Sequence, residues 1–153
     1  MLDLTTATPE QLKALEPGEF IAVVRTMSDG ELGALMRGPN RAPIVENVFE
    51  RMPQIFRPER AGDARALTHW TITERPDGGE DRYTVAVADG TCRVTEGHEG
   101  DASLALTLTP VAFVKIISKT GNPVMMFMTG KLKASGDLGL AASIAGWFEP
   151  PAA

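Results

Sequence analysis

Up to about residue 60 the apolar positions recur every three or four residues, which is the helical period. Thr8-Pro9-Glu10-Gln11 is a capping-box pattern with proline at the first helical position, and Leu12 and Leu15 give that short helix an apolar side. Pro17-Gly18 interrupts it, and Phe20, Val23, Val24 and Met27 then resume the helical spacing. Ser28-Asp29-Gly30-Glu31 is a second capping box, ahead of Leu32, Leu35 and Met36, with Gly38-Pro39 as the stop. A longer helix is predicted from about Arg41 to Phe56. Its stripe is Ile44, Val45, Val48, Phe49, Met52, Ile55 and Phe56, and Pro53 kinks it or ends its regular part.

From Ala66 the period becomes two. Trp70 and Ile72 share one face; Tyr83, Val85 and Val87 alternate with Arg82, Thr84 and Ala86; Cys92 and Val94 alternate with Thr91, Arg93 and Thr95. Pro76-Asp77-Gly78-Gly79 and Asp89-Gly90 mark the turns between them. After a loop from Gly97 to Asp101, Leu104, Leu106 and Leu108 form a fourth alternating run. One apolar and one polar side per strand predicts a largely antiparallel sheet covered on one face. Thr109-Pro110 then opens a helix with Val111, Phe113, Val114 and Ile117, and Asn122-Pro123 opens a short turn through Met128. Lys131 to Ala134 reads as a last strand with its lysines toward solvent. Asp137 caps a final helix that Trp147-Phe148 close, and Pro150-Pro151 end regular structure. Helices, a meander and helices again make an α+β layer fold.

Composition narrows the class. The 153 residues are 43% hydrophobic and 23% charged, so disorder, collagen and coiled coil are excluded as overall descriptions. A net charge of −5 argues against a general nucleic-acid binder. The one cysteine and the absence of a signal-peptide pattern make a cytoplasmic setting the expectation. No apolar run reaches the roughly 18 residues of a spanning helix.

Motifs for catalysis are sparse. His69 lies on the polar side of the first strand, opposite Trp70, where a surface histidine is the ordinary reading. His98, in Glu96-Gly97-His98-Glu99-Gly100-Asp101, matches no metal-ligand spacing and reads as part of a solvated hairpin loop. Cys92 alternates with Val94 on the apolar side and reads as a small core residue. Gly130-Lys131 lacks the upstream glycines of a phosphate loop, and no dinucleotide fingerprint is present. No cofactor and no metal site are expected.

The apolar residues of the C-terminal third need another explanation. Met125, Met126, Phe127 and Met128 stand in a row, and one short turn cannot aim all four at one core. They read either as gap-filling core or as a deformable pocket wall. The final helix is rich in small residues (Gly139, Ala141, Ala142, Ser143, Ala145, Gly146), so it packs closely or borders a void.

Residues Gly121 to Ile144, GNPVMMFMTGKLKASGDLGLAASI, resemble the C-terminal signature of the sterol carrier protein type 2 domain. The matching steps are Asn122-Pro123, the apolar Met125 to Met128, Gly130-Lys131-Leu132-Lys133, Gly136-Asp137 and Gly139-Leu140-Ala141. The resemblance covers about residues 42 to 148. It implies a five-stranded, mostly antiparallel sheet with helices on one face and an apolar tunnel between them. It also implies binding or transfer of fatty acyl chains, acyl-CoA or sterol-like lipids without catalysis. On that reading residues 1–39 are a helical extension and 40–149 the lipid-binding domain. Trp70, Ile72, Val85, Leu106 and Leu132 form one wall of the tunnel, and Val114, Ile117, Met125, Met128, Leu140, Ile144 and Trp147 the other. The C-terminus, Pro150-Pro151-Ala152-Ala153, differs from a peroxisomal address.

The partner expected is therefore a hydrophobic small molecule. Lys131 and Lys133 offer a transient membrane contact or simply guard a strand edge. The alternative is a small enzyme acting on a cyclic or polyketide-like substrate in the same cavity, with His69, Tyr83 and Cys92 as its polar groups. A homodimer built by the N-terminal helices is the third option.

Overall fold

The N-terminal helices start on side chains that satisfy their free amides. In α1 (Pro9–Ala14) the Thr8 hydroxyl accepts from the Gln11 amide at 3.1 Å, and the Gln11 side chain accepts from the Thr8 amide at 2.9 Å. Ser28 and Glu31 repeat the arrangement at the start of α3 (Asp29–Arg37), at 3.2 and 3.0 Å. A similar contact opens α2 (Pro17–Val24), where the Glu19 carboxylate accepts from the Glu16 amide at 3.1 Å. The long helix α4 (Arg41–Ile55) carries Pro53 in its last turn and ends two residues later. The turn α5 (Pro58–Ala61), four residues long, has no counterpart in the periodicity. The computed structural model describes residues 3–118, 120–121 and 123–148. The expected turn residue Asn122 and the closing Pro150-Pro151 lie outside the described residues.

Strands β1 (Ala66–Ile72), β2 (Asp81–Ala88), β3 (Thr91–Glu96), β4 (Leu104–Leu108) and β5 (Leu132–Gly136) form one sheet in the order β3-β2-β1-β4-β5. Three of its neighbouring pairs are antiparallel, and β1 and β4 run parallel, so the sheet is mixed. The segment before β4 is therefore a crossover rather than the hairpin loop that its Gly-rich composition suggests. Composition marks residues 97–103 as a loop but carries no information on which strand comes next to which.

That crossover is tied to the outer face of the sheet. The Gly97 amide donates to the Arg82 carbonyl at 2.8 Å, the Thr84 hydroxyl donates to the Gly97 carbonyl at 2.7 Å, and the Glu99 amide donates back to that hydroxyl at 2.9 Å. The Ser103 amide closes the segment on the Leu67 carbonyl at 2.8 Å. His98 lies over His69 with parallel rings, centroids 4.4 Å apart.

The remaining elements are α6 (Pro110–Ile117), α7 (Pro123–Met128), α8 (Leu138–Ile144) and a 3-10 turn, Ala145–Trp147. Asp137 accepts from the Leu140 amide at 3.0 Å as the expected cap. The inner sheet face buries Trp70, Ile72, Val85, Val87, Leu104, Leu106, Leu108 and Leu132 against α4 and α6. The apolar residues of α1 to α3, among them Leu12, Leu32, Leu35 and Met36, belong to the same hydrophobic core.

Two polar residues at the start of α4 fix its position. Asn40 donates to the carbonyls of Leu4 (2.6 Å) and Ala7 (3.0 Å), which pulls the N-terminal segment onto the helix. Arg41, 1% exposed, donates from Nε to Asp81 at 3.0 Å and from Nη2 to the Ile72 carbonyl at 2.9 Å. The other end of α4 is held by a bridge between Phe56 and Phe148 and by the Arg57 amide on the Trp147 carbonyl at 2.7 Å.

Candidate functional site

Helix α4 presents three different faces, because residues four and seven apart stack along one side of a helix. Val45, Phe49 and Met52 enter the core above the sheet. There Phe49 packs on Tyr83 (ring centroids 4.0 Å), Phe113 (5.5 Å) and Trp70 (6.0 Å).

Ile44, Val48, Arg51 and Ile55 form the second face and turn toward α1 and α2. With Leu12, Leu15, Phe20, Ile21 and Ile117 they line an apolar pocket of about 50 Å³. Its polar side is Asn47 and Arg51. The Arg51 guanidinium donates to the Lys13 carbonyl (2.6 Å) and to Asn47 (3.2 Å), and it meets the exposed Glu16 carboxylate at 3.3 Å. The pocket thus combines an apolar wall with one cation at its side.

Glu46, Glu50 and Pro53 form the third face. They look across an open cleft of about 570 Å³ at Tyr83, Val94 and Glu96 of the β2–β3 edge, with Phe49 beneath.

The expected wall residues divide by environment. Trp70, Ile72, Val85, Leu106, Leu132, Val114, Ile144 and Trp147 are buried, Ile117 and Leu140 are partly buried, and Ile117 also lines the apolar pocket. Met125 and Met128 are instead 57% and 73% exposed, as is Phe127 at 48%, and Met126 is the buried methionine of α7. A six-residue helix has room on its inner side for few residues, and the helical period that turns Met126 inward turns Met125 and Met128 out. The side chain of Ala141 lies outside the described residues. Of the pocket residues ahead of α4, Leu12, Leu15 and Phe20 were legible as helix stripes and Ile21 was not, and none was legible as a ligand wall, since periodicity does not say which two stripes face each other.

His69, Tyr83 and Cys92 do not come together. His69 is on the outer face, where its Nε2 bonds the Glu99 carbonyl at 2.9 Å, whereas Tyr83 and Cys92 belong to the inner face. Burial pushes the Cys92 thiol up to about 11, which leaves little thiolate at neutral pH. Burial, followed by the charges of Glu96, Glu46, Asp81 and Glu50, pushes the Tyr83 phenol up to about 12. Among the described residues no group of three His, Cys, Asp or Glu converges to hold a metal ion, and no helix is long and apolar enough to cross a membrane.

The chain is similar to a protein of Yarrowia lipolytica described as a fatty acid-binding protein, with 31% identity over 84 residues. The match covers 54% of this chain and 65% of the relative's length. Among solved structures, the apo form of sterol carrier protein 2 from Yarrowia lipolytica superposes with a TM-score of 0.56 and 26% identity, over 68% of this chain and 86% of that one. The inverting sec-alkylsulfatase Pisa1 from Pseudomonas sp. shares the fold at a TM-score of 0.64 and 16% identity, over 80% of this chain but 21% of that enzyme. Residues 49–149 match the model of the SCP-2 sterol transfer family, which is about two thirds of the chain. With its five-stranded sheet capped by helices on one face, this chain belongs to the SCP-2 sterol transfer family.

Proposed function

We propose that the protein binds and carries a molecule with an apolar chain and an anionic end, without chemical conversion, and that the chain enters between α1–α2 and α4. The apolar pocket with Arg51 at its side carries this reading. Leu12, Leu15, Phe20, Ile21, Val48 and Ile117 supply apolar wall, and Arg51 supplies the one cation suited to a carboxylate. The name of the Yarrowia relative, a fatty acid-binding protein, supports the same ligand class.

The pocket's size sets a condition. At about 50 Å³ it accepts a small apolar group, whereas sites for drug-sized ligands run to roughly 300–1,000 Å³. An acyl chain therefore requires α1 and α2 to move away from α4. These helices have six and eight residues, too short to persist by themselves, so their positions depend on contacts with the rest of the fold. Each methylene transferred from water gains about 0.8 kcal/mol, which offsets such a displacement over a long chain. Ile117 belongs to the pocket and to the wall that the family resemblance implies, and links the two along α6.

Native mass spectrometry of the unextracted protein, with titration of a fluorescent fatty acid, tests the proposal. Saturable binding that Val48→Trp abolishes and Arg51→Gln weakens supports it. Unchanged binding in Val48→Trp, or failure of the full chain to take up any acyl ligand, overturns it.

A further inference from the structure

We infer that α7 docks the protein on an anionic lipid surface, with Met125, Phe127 and Met128 entering the interface and Lys131 and Lys133 meeting the headgroups. Docking extends the carrier reading to the place where cargo is taken up or released, and it rests on that reading only for its purpose. Its residues are separate from those of the apolar pocket.

The apolar patch is confined to one element. Among the described residues, Met125, Phe127 and Met128 are the large apolar side chains left exposed, and all three belong to the six-residue α7. At about 100° per residue they fall in one arc of about 160°, opposite Met126. Met126 is buried and fastens the helix from behind, with its methyl so close to Gly121 that a Cβ there would collide with it.

The end of the helix suits a dry surrounding. The carbonyls of Met125, Met126 and Phe127 accept from the amides of Thr129 (3.0 Å), Lys131 (2.9 Å) and Gly130 (3.3 Å). Entry into an apolar phase therefore strands none of these three groups.

Charge names the partner. Residues 102–136 include Lys115, Lys119, Lys131 and Lys133 and no aspartate or glutamate, in a chain of net charge −5. Lys131 and Lys133 follow α7 directly and are exposed. Asp29 feels the charge of Lys131 but is already paired with Lys115 at 2.5 Å. Apolar side chains next to long-stemmed lysines match a bilayer, whose acyl region lies beneath anionic headgroups. A second copy of the chain fits less well. Three side chains of one short helix fall short of the roughly 800 Å² per partner of a stable interface, and a symmetric contact turns like charges toward each other.

Co-sedimentation of the full chain with vesicles of phosphatidylcholine, alone or mixed with phosphatidylglycerol, tests the inference. Binding is expected to favour the mixed vesicles and to fall with added salt. Phe127→Gln and Lys131→Gln/Lys133→Gln should each weaken it about tenfold. The indole of Phe127→Trp should be quenched by lipids brominated in their acyl chains, which separates insertion from adsorption by charge alone. Fluorescent fatty acid, titrated without vesicles, should bind Phe127→Gln as it binds the native chain. That titration shows the variant folded and reads cargo binding apart from docking. No preference for the mixed vesicles, undiminished vesicle binding in Phe127→Gln, absence of quenching, or loss of fatty acid binding in Phe127→Gln would each overturn the inference. So would a dimer of the native chain that Phe127→Gln dissolves, since the patch would then belong to a second copy.

Discussion

The rings of Phe49 and Tyr83 stack with centroids 4.0 Å apart and planes 11° from parallel, joining the middle of α4 to the second strand. Phe49 is fully buried and also meets Trp70 and Phe113, so one side chain connects α4, α6 and two strands. Phe49→Ala should cost about 3–5 kcal/mol, as other buried aromatic truncations do. Urea denaturation of the two proteins measures it, and a loss below about 1 kcal/mol would show that the stack is dispensable.

Arg41 and Asp81 make the second long-range clasp, at 3.0 Å. Asp81 has Arg75 as a further partner at 3.4 Å, whereas among the described residues Arg41 has only Asp81 and the Ile72 carbonyl. Losing the acid strands a buried cation, which is worse than replacing the cation by an apolar chain. Asp81→Ala should therefore destabilise by about 3–5 kcal/mol and Arg41→Met by clearly less. The reverse order in thermal melts would contradict this account.

Thr84 holds the start of the crossover: its hydroxyl donates to the Gly97 carbonyl and accepts from the Glu99 amide. Thr84→Val keeps the shape and removes both bonds, at about 1–3 kcal/mol. Hydrogen exchange should accelerate at the Glu99 amide while the amides of β4 stay protected. Uniform acceleration throughout the sheet would mean that the crossover is not a separate unit.

Gly136, at φ +101°, ends β5 where a Cβ would run into the Ser103 carbonyl oxygen. Gly136→Ala should cost more than about 1 kcal/mol through the backbone alone. Its effect should concentrate on the β4–β5 pair, read by exchange at the Asp137 amide, which bonds the Ser103 carbonyl at 2.8 Å. A neutral substitution would show that this backbone relaxes freely.

High pH should weaken the fold in two stages. Burial raises the Cys92 thiol from 9.0 to about 11 and, with nearby carboxylates, the Tyr83 phenol from 10.0 to about 12. Above the unfolded values the unfolded chain releases these protons first. The native state then binds more protons, so stability falls as pH rises. The loss should begin near pH 9 for Cys92 and pH 10 for Tyr83, and flatten beyond about 11 and 12. Melting temperatures between pH 8 and 11, under reducing conditions, should drop less in Cys92→Ala and Tyr83→Phe. An equal drop in these variants would assign the effect to other groups.

Much of this architecture was legible in the residues. Thr8-Gln11 and Ser28-Glu31 announce helix starts because a cap needs only neighbours three positions apart. The alternation of Tyr83, Val85 and Val87 announces a strand with one buried face, and the Asn-Pro to Gly-Leu-Ala signature marks the family. The parallel pairing of β1 with β4 was not legible, since alternation assigns a face but no neighbour. Nor was the placement of Met125 and Met128 outside and Met126 inside, which depends on how α7 is rotated against the core.

The sequence by itself determined most of the elements, the buried sides of the longer ones and the family, because caps, turns and periodicity are local interactions between residues a few positions apart. Only the tertiary structure decided what those sides face. It set Ile44 and Val48 opposite Leu12 and Phe20, and it turned Glu46 and Glu50 toward Tyr83 and Glu96. It also put His69 and His98 together on the side of the sheet away from Tyr83. These juxtapositions join residues far apart in the chain, and their geometry follows from how α4 rotates and docks on the sheet, a property of the packed whole and not of any segment.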